Sequence, residues 1–115
     1  MTMRKYHSKK VRCNKGHLHD SRKEARRCNE LHLQERAGII SDLRIQQKYE
    51  LIPAQRFENM ENERPCKYIA DFTYFKDGLF IIEDTKGFKT PEYIIKRKLM
   101  KHRYCSDGKA VFIET

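Results

Sequence analysis

The stretch that most restricts how this chain can fold is YIADFTYFKDGLFIIEDTK, from Tyr68 to Lys86. Two runs rich in β-branched and aromatic residues flank Lys76-Asp77-Gly78, the composition of a tight hairpin turn. Side chains alternate between the two faces of a strand. Strict alternation predicts Tyr68, Ala70, Phe72 and Tyr74 on one face of the first strand, with Ile69, Asp71, Thr73 and Phe75 on the other. On the second strand Phe80, Ile82, Asp84 and Lys86 fall together, and Glu83 points to the opposite side. Closing the hairpin at Asp77-Gly78 brings Asp71 near Asp84 and Lys86 at the far end, where two acids and a lysine meet beside an apolar sheet.

Two carboxylates about 4 Å apart repel by ~4 kcal/mol at an effective dielectric near 20. That is a large part of the roughly 5–15 kcal/mol of net stability a small domain has. Such a pair calls for a proton, a cationic partner or a metal, and its oxygens suit hard ions such as Mg²⁺ and Mn²⁺. The residues alone leave two readings open: a metal-binding pair, or an Asp–Lys ion pair that closes the hairpin.

Asp71, followed thirteen positions later by Asp84-Thr85-Lys86, resembles the signature of the PD-(D/E)XK nucleases, with Ala70 where the motif's proline often stands. Around it, in order, lie DSRKEA (Asp20 to Ala25), QQKYEL (Gln46 to Leu51), IADF and IEDTKG. This ordered set resembles a family of small phage- and prophage-encoded PD-(D/E)XK domains of unknown function. It is also similar to the N-terminal nuclease domain of Tn7-type transposases.

The resemblance implies an α/β fold with a restriction-endonuclease-like core, a central mixed β-sheet flanked by helices in the order hairpin-αβββαβ. It implies a Mg²⁺- or Mn²⁺-dependent DNA endonuclease. Asp71, Asp84, the Thr85 carbonyl and Glu24 would hold the metal; Lys86 would position the attacking water; Gln47 would assist from the side, or Gln46 if the register slips by one. By the same likeness, phage DNA recombination, replication or packaging is the expected setting, with branched DNA or Holliday junctions as substrates and a homodimer favoured on two-fold junctions. The alternative is a non-catalytic nucleic-acid-binding module on the same fold.

The rest of the chain fits one domain over residues 11–115, preceded by a basic arm over residues 1–10. The 115 residues carry 25 Lys and Arg against 16 Asp and Glu, a net charge of +9, which favours a polyanionic partner such as DNA. Arg4, Lys5, Lys9, Lys10 and Arg12 form an acid-free block that could run along a phosphate backbone. No apolar run is long enough to span a membrane. The basic start has no apolar h-region, so a cytoplasmic location, in a bacterial host on the family likeness, with reduced thiols is expected.

Lys10 to His19 reads as a small hairpin with Asn14-Lys15-Gly16 at its tip. Cys13, His17, His19 and Cys28 are all zinc-capable. Their spacing fits no familiar finger and Cys28 falls inside the next helix, so packing is their expected role, with a zinc-stabilised interaction domain as the alternative. Ser21-Arg22-Lys23-Glu24 is a capping box opening a helix that ends at Ala37-Gly38. Glu24 thus has a structural explanation as well as the active-site role the resemblance implies.

Leu43, Ile45, Gln47, Tyr49 and Leu51 alternate as one face of a half-buried strand. A break over residues 53–65 precedes the central hairpin. Thr90 and Pro91 open a second helix just beyond the DxK motif, with its N-terminus available to a phosphate. Lys89, Lys96 and Arg97 are candidate DNA contacts, and KAVFIE, from Lys109 to Glu114, reads as a last strand. No Gly-rich phosphate loop or nucleophile elbow is present, which disfavours covalent hydrolase chemistry.

Overall fold

The computed structural model describes residues 10–115. Arg4, Lys5 and Lys9 of the predicted arm lie outside the described residues. The elements run β1 (Val11–Arg12), β2 (Leu18–His19), α1 (Arg22–Arg36), β3 (Ser41–Ile52), β4 (Cys66–Lys76), β5 (Leu79–Asp84), α2 (Pro91–Tyr104) and β6 (Ala110–Glu114). This is the expected α/β order. The main sheet is ordered β3-β4-β5-β6, antiparallel except for the parallel β5–β6 pair, and is therefore mixed. No helix among the described residues is long and apolar enough to cross a membrane.

Local chemistry explains the elements. The β4–β5 hairpin closes through the Lys76–Leu79 pair, and Asp77 and Gly78 both adopt positive φ, 51° and 80°. Two positive-φ residues are what a type I′ turn needs to match the twist of its strands. Ser21 caps α1 by accepting from the Glu24 N–H at 3.1 Å. At the other end Gly38 (φ 78°) donates to Glu35 O and Ile39 donates to Gln34 O, completing a Schellman motif. Ile40 is the residue that buries there, whereas Ile39 stays exposed. Thr90 caps α2, with Pro91 in its first turn.

Adjacent residues on β5 show that the two helices cover opposite faces. Ile81 packs with Ala25, Cys28 and Leu31 of α1, while Ile82 packs with Tyr93 and Met100 of α2. On β4 the uniform alternation expected from the sequence fails. Tyr68 and Ala70 belong to the α2 side, but Phe72 and Tyr74 belong to the α1 side. β3 changes sides with it: Leu43 and Ile45 pack toward α1, Tyr49 and Leu51 toward α2.

The pairs Ile45–Phe72 and Gln47–Ala70 bracket the change and set Gln46 opposite Asp71. Gln46 has φ 55°, an uncommon conformation for a side chain of this kind. The two strands reverse parity together here, so that one stretch of each packs toward α1 and the next toward α2. The reversal falls on two polar residues that border the acidic groove described next.

Candidate functional site

Three acids from three elements converge beside this reversal. Glu24 projects from the first turn of α1 and is 4% exposed; Asp84 ends β5 and is fully buried; Asp71 lies on β4 between them. Asp71 Oδ2 accepts from the Thr85 N–H at 2.8 Å, which ties β4 to the residue after Asp84. Asp84 Oδ2 receives the Tyr68 hydroxyl and lies 3.5 Å from Lys86 Nζ. The Lys86 ammonium also stands 4.8 Å from the centre of the Tyr93 ring. Asp84 Oδ1 is buried with no hydrogen-bond partner among the described residues.

Burial raises the pKa of all three acids. For Glu24 the charges of Asp20 and Asp84 add to burial, and for Asp71 the charge of Glu24 does. Asp84 is pushed up to about 8 by burial and then by neighbouring Asp71, against the pull of Tyr68 and Lys86. At neutral pH Asp84 therefore holds a proton unless a cation replaces it. An orphaned oxygen within a set of hard carboxylate donors fits a divalent ion such as Mg²⁺ or Mn²⁺.

Asp71 opens onto two adjoining hollows and Glu24 onto the first of them, while Asp84 is fully buried and lines neither. One, of about 350 Å³, is lined by Ser21, Lys23, Glu24, Asp71, Thr85, Lys86 and Thr90 among others. The second, on the far side of Asp71 and Lys86, is lined by Lys10, Leu18, Gln46, Lys48 and Ile69. Asp20, Asp71 and Lys86 border both, so they sit where the two hollows meet.

The expected site residues are distributed unevenly around this groove. Glu24, Asp71, Asp84, Thr85 and Lys86 are brought together. Gln47 is not: its amide donates to Ile45 O at 3.3 Å, and Gln46 lines the groove instead, donating to Leu18 O at 3.1 Å. The strand reversal at Gln46 makes this one-residue exchange. Lys10 reaches the groove but pairs with Asp20 at 2.5 Å, and Arg12 donates to Gly16 O. Lys89 and Arg97 share Glu114, and Lys96 engages Glu92, so each of these three cations already has a carboxylate partner. Lys23 and Lys48 also line the groove; in the sequence nothing sets them apart from the other cations behind a net charge of +9.

The capping box forms only in part. Ser21 caps the helix, but the Glu24 carboxylate turns away to His19 Nδ1, 2.6 Å distant. His19 belongs to a second polar cluster, Cys13, His17, His19 and Cys28, whose candidate ligand atoms all lie within 4.8 Å of one another. Where the spacing in the sequence favours packing over zinc, the fold makes these four a Cys/His set able to bind a metal.

A family model described as a protein of unknown function (DUF1064) matches residues 3–113. The chain belongs to the DUF1064 family. The match takes in every residue of the groove and of the Cys/His set in this DUF1064 protein. No curated protein and no solved structure matches the chain.

Proposed function

We propose that this DUF1064 protein is a metal-dependent endodeoxyribonuclease built on a PD-(D/E)XK-like core of the restriction-endonuclease type. The observation that supports this most strongly is the set of buried Glu24 and Asp84 and half-buried Asp71, with Lys86 beside it. Three clustered acids, two of them buried, have no evident structural use for their mutual repulsion, and Asp84 keeps an oxygen without a partner among the described residues. Glu24, Asp71, Asp84 and the Thr85 carbonyl would hold Mg²⁺ or Mn²⁺. Such an ion, when bound, supplies Lewis-acid polarisation of the phosphate and a lowered pKa for the attacking water.

The chain's own residues do the remaining work. Lys86 positions that water and offsets charge developing on the phosphate. The Tyr68 hydroxyl and Lys86 converge on Asp84 Oδ2 and hold its carboxyl in place, leaving Oδ1 for the ion. Gln46 takes the side position expected of Gln47. Lys10, Lys23 and Lys48 along the groove would follow a DNA backbone, joined by the basic arm. A phage setting and branched DNA belong to this reading by family likeness, with a homodimer suited to two-fold junctions.

The deciding experiment is a cleavage panel of linear, single-stranded, nicked, flapped and four-way DNA with Mg²⁺ or Mn²⁺ titrated. Cutting that requires the ion supports the proposal. Binding without cutting on every substrate would leave a non-catalytic nucleic-acid module. Within an active panel, Gln46→Ala is expected to slow cleavage by about tenfold, ~1.4 kcal/mol, and Gln47→Ala by less than about threefold.

Thermal melting gives an independent check. The unfolded Asp84 loses its proton near its ordinary pKa of 3.8, while the folded one holds it up to about 8. In that window the folded state binds more protons, so metal-free stability falls as pH rises from about 4 to about 8. A divalent ion displaces that proton and reverses the trend. At 100 times its Kd the ion adds about 2.7 kcal/mol. For a domain of this size that is a rise in Tm of ~10 °C, larger at pH 8 than at pH 6. An equal gain at both pH values would contradict the assignment of Asp84 as a ligand.

A further inference from the structure

The pattern Cys13-x3-His17-x-His19-x8-Cys28 draws its residues from the β1–β2 hairpin and from α1. That hairpin has only two paired positions, Val11–His19 and Arg12–Leu18. A hairpin that short has little stability of its own. Its inner side nevertheless carries three polar or ionisable side chains into the base of α1. Cys28 and His19 are fully buried, Cys13 is 6% exposed, and His17 is half-buried.

The spacing of the atoms is that of a coordination shell. Cys13 Sγ and Cys28 Sγ are 3.4 Å apart, and His17 Nδ1 lies 3.5 Å from the first and 3.7 Å from the second. Zinc bonds of about 2.3 Å to sulfur and about 2.0–2.1 Å to nitrogen define a tetrahedron with S···S edges of about 3.8 Å and S···N edges of about 3.6 Å. The three measured separations lie within a few tenths of an ångström of those edges. The fourth corner falls to His19. Its Nδ1 is taken by Glu24, and its Nε2 is buried without a hydrogen-bond partner among the described residues. Packing alone leaves that nitrogen unsatisfied, at a cost of about 1–3 kcal/mol. A metal on Nε2 removes the penalty and fixes the remaining hydrogen on Nδ1, aimed at Glu24.

We propose that Cys13, His17, His19 and Cys28 bind one zinc ion, and that His19 passes its position to Glu24 through their hydrogen bond. Thiolate and imidazole donors select zinc over the hard ions suited to the carboxylate groove. A carboxylate that orients a metal-bound histidine is a recurrent outer partner of zinc. Here that carboxylate is also a wall of the groove. The zinc clamps the weak hairpin to α1 and holds Glu24 with one oxygen on His19 and the other toward the groove. The second half of the proposal rests on the nuclease reading; the zinc site does not.

The test uses the full chain, expressed in zinc-supplemented medium and freed of loose metal by gel filtration. One zinc per chain is expected by elemental analysis. Exchange with Co²⁺ should give the intense visible bands of a tetrahedral site and a thiolate-to-cobalt charge-transfer band. Cys28→Ser should abolish both, and because it alters the core, His17→Ala serves beside it. His17 is half-buried in the turn, so that variant should melt cooperatively yet hold zinc at least tenfold more weakly. Glu24→Ala should weaken zinc by about 10–100-fold in competition with a chromophoric chelator, as loss of an outer partner does. Asp84→Ala should leave zinc affinity unchanged. A folded protein with four reactive thiols and no cobalt spectrum, or one isolated with a Cys13–Cys28 disulfide, would overturn the site. Unchanged zinc affinity in Glu24→Ala would overturn the link to the groove. None of these measurements depends on cleavage.

Discussion

Asp84→Asn is expected to make the metal-free protein more stable at pH 8 while reducing cleavage by about 10³-fold or more, the equivalent of at least ~4 kcal/mol in the barrier. The two effects have one cause. Asp84 is fully buried beside Asp71 and holds its proton up to about 8. An asparagine has nearly the shape of that protonated acid, can still accept from Tyr68, and never has to ionise. It relieves the folded state of a charge it cannot solvate, and a gain of about 1–2 kcal/mol, ~4–8 °C in Tm, is in the range for easing a strained functional site. The same change removes an anionic donor, so the rise in Tm on adding Mg²⁺ or Mn²⁺ should shrink to a small residue.

Lys86→Ala separates the roles further. It should slow cleavage by about 10²–10³-fold, as loss of a single charge-stabilising donor does, while most of the metal-induced rise in Tm survives. Both variants keep Lys10, Lys23 and Lys48 and should bind DNA within a few-fold of the parent. An Asp84→Asn protein that cuts DNA normally, or that melts at a lower temperature at pH 8, would show that the buried acid is not a ligand.

Much of this site was legible because its parts are local. The Asp77-Gly78 turn fixes the β4–β5 register, and that register alone carries Asp71 toward Asp84. Ser21 and Gly38 mark the ends of α1 for reasons contained within a few residues. The choice between Gln46 and Gln47 was left open by the sequence. Leu43, Ile45, Gln47, Tyr49 and Leu51 keep a perfect period of two through the point where the strand changes sides. Alternation records that a strand is half-buried; it does not record which helix covers each end. The positive φ at Gln46 has no glycine to announce it.

Whether the four zinc-capable residues converge was undecided in the sequence for a related reason. Three of its members sit in a short hairpin and the fourth well inside a helix, so their convergence depends on how hairpin and helix dock. The signal available was that Cys28 shares a helix face with Ala25 and Leu31, both buried against the same core. A cysteine on that face must meet whatever the preceding hairpin presents to it.

The residue before Asp84 carries the largest expected loss of stability. Glu83 faces the opposite side of β5 and is fully buried. Arg27 of α1 holds it with two hydrogen bonds, Nε to Oε2 at 2.6 Å and a terminal nitrogen to Oε1 at 3.0 Å. The Tyr74 and Thr115 hydroxyls donate to the same carboxylate at 2.6 and 3.0 Å. Glu83 raises the Arg27 pKa further through these bonds, so the guanidinium stays charged. Arg27→Ala removes the only cation facing that carboxylate among the described residues. Breaking one side of a buried pair costs about 3–5 kcal/mol, here a fall in Tm of roughly 12–20 °C. Removing both charges together is a different matter, because an apolar pair of similar volume is often neutral or better. Arg27→Met with Glu83→Leu should therefore recover at least half of the loss seen in Arg27→Ala, even with two hydroxyls left to find new partners. Additive destabilisation in the double variant would mean that the contacts, rather than the stranded charge, carry the energy. The position matters to the groove as well. Glu83 pins the end of β5 to α1, and Asp84 and Glu24 sit on those two elements, so the clamp sets the spacing of these two acids.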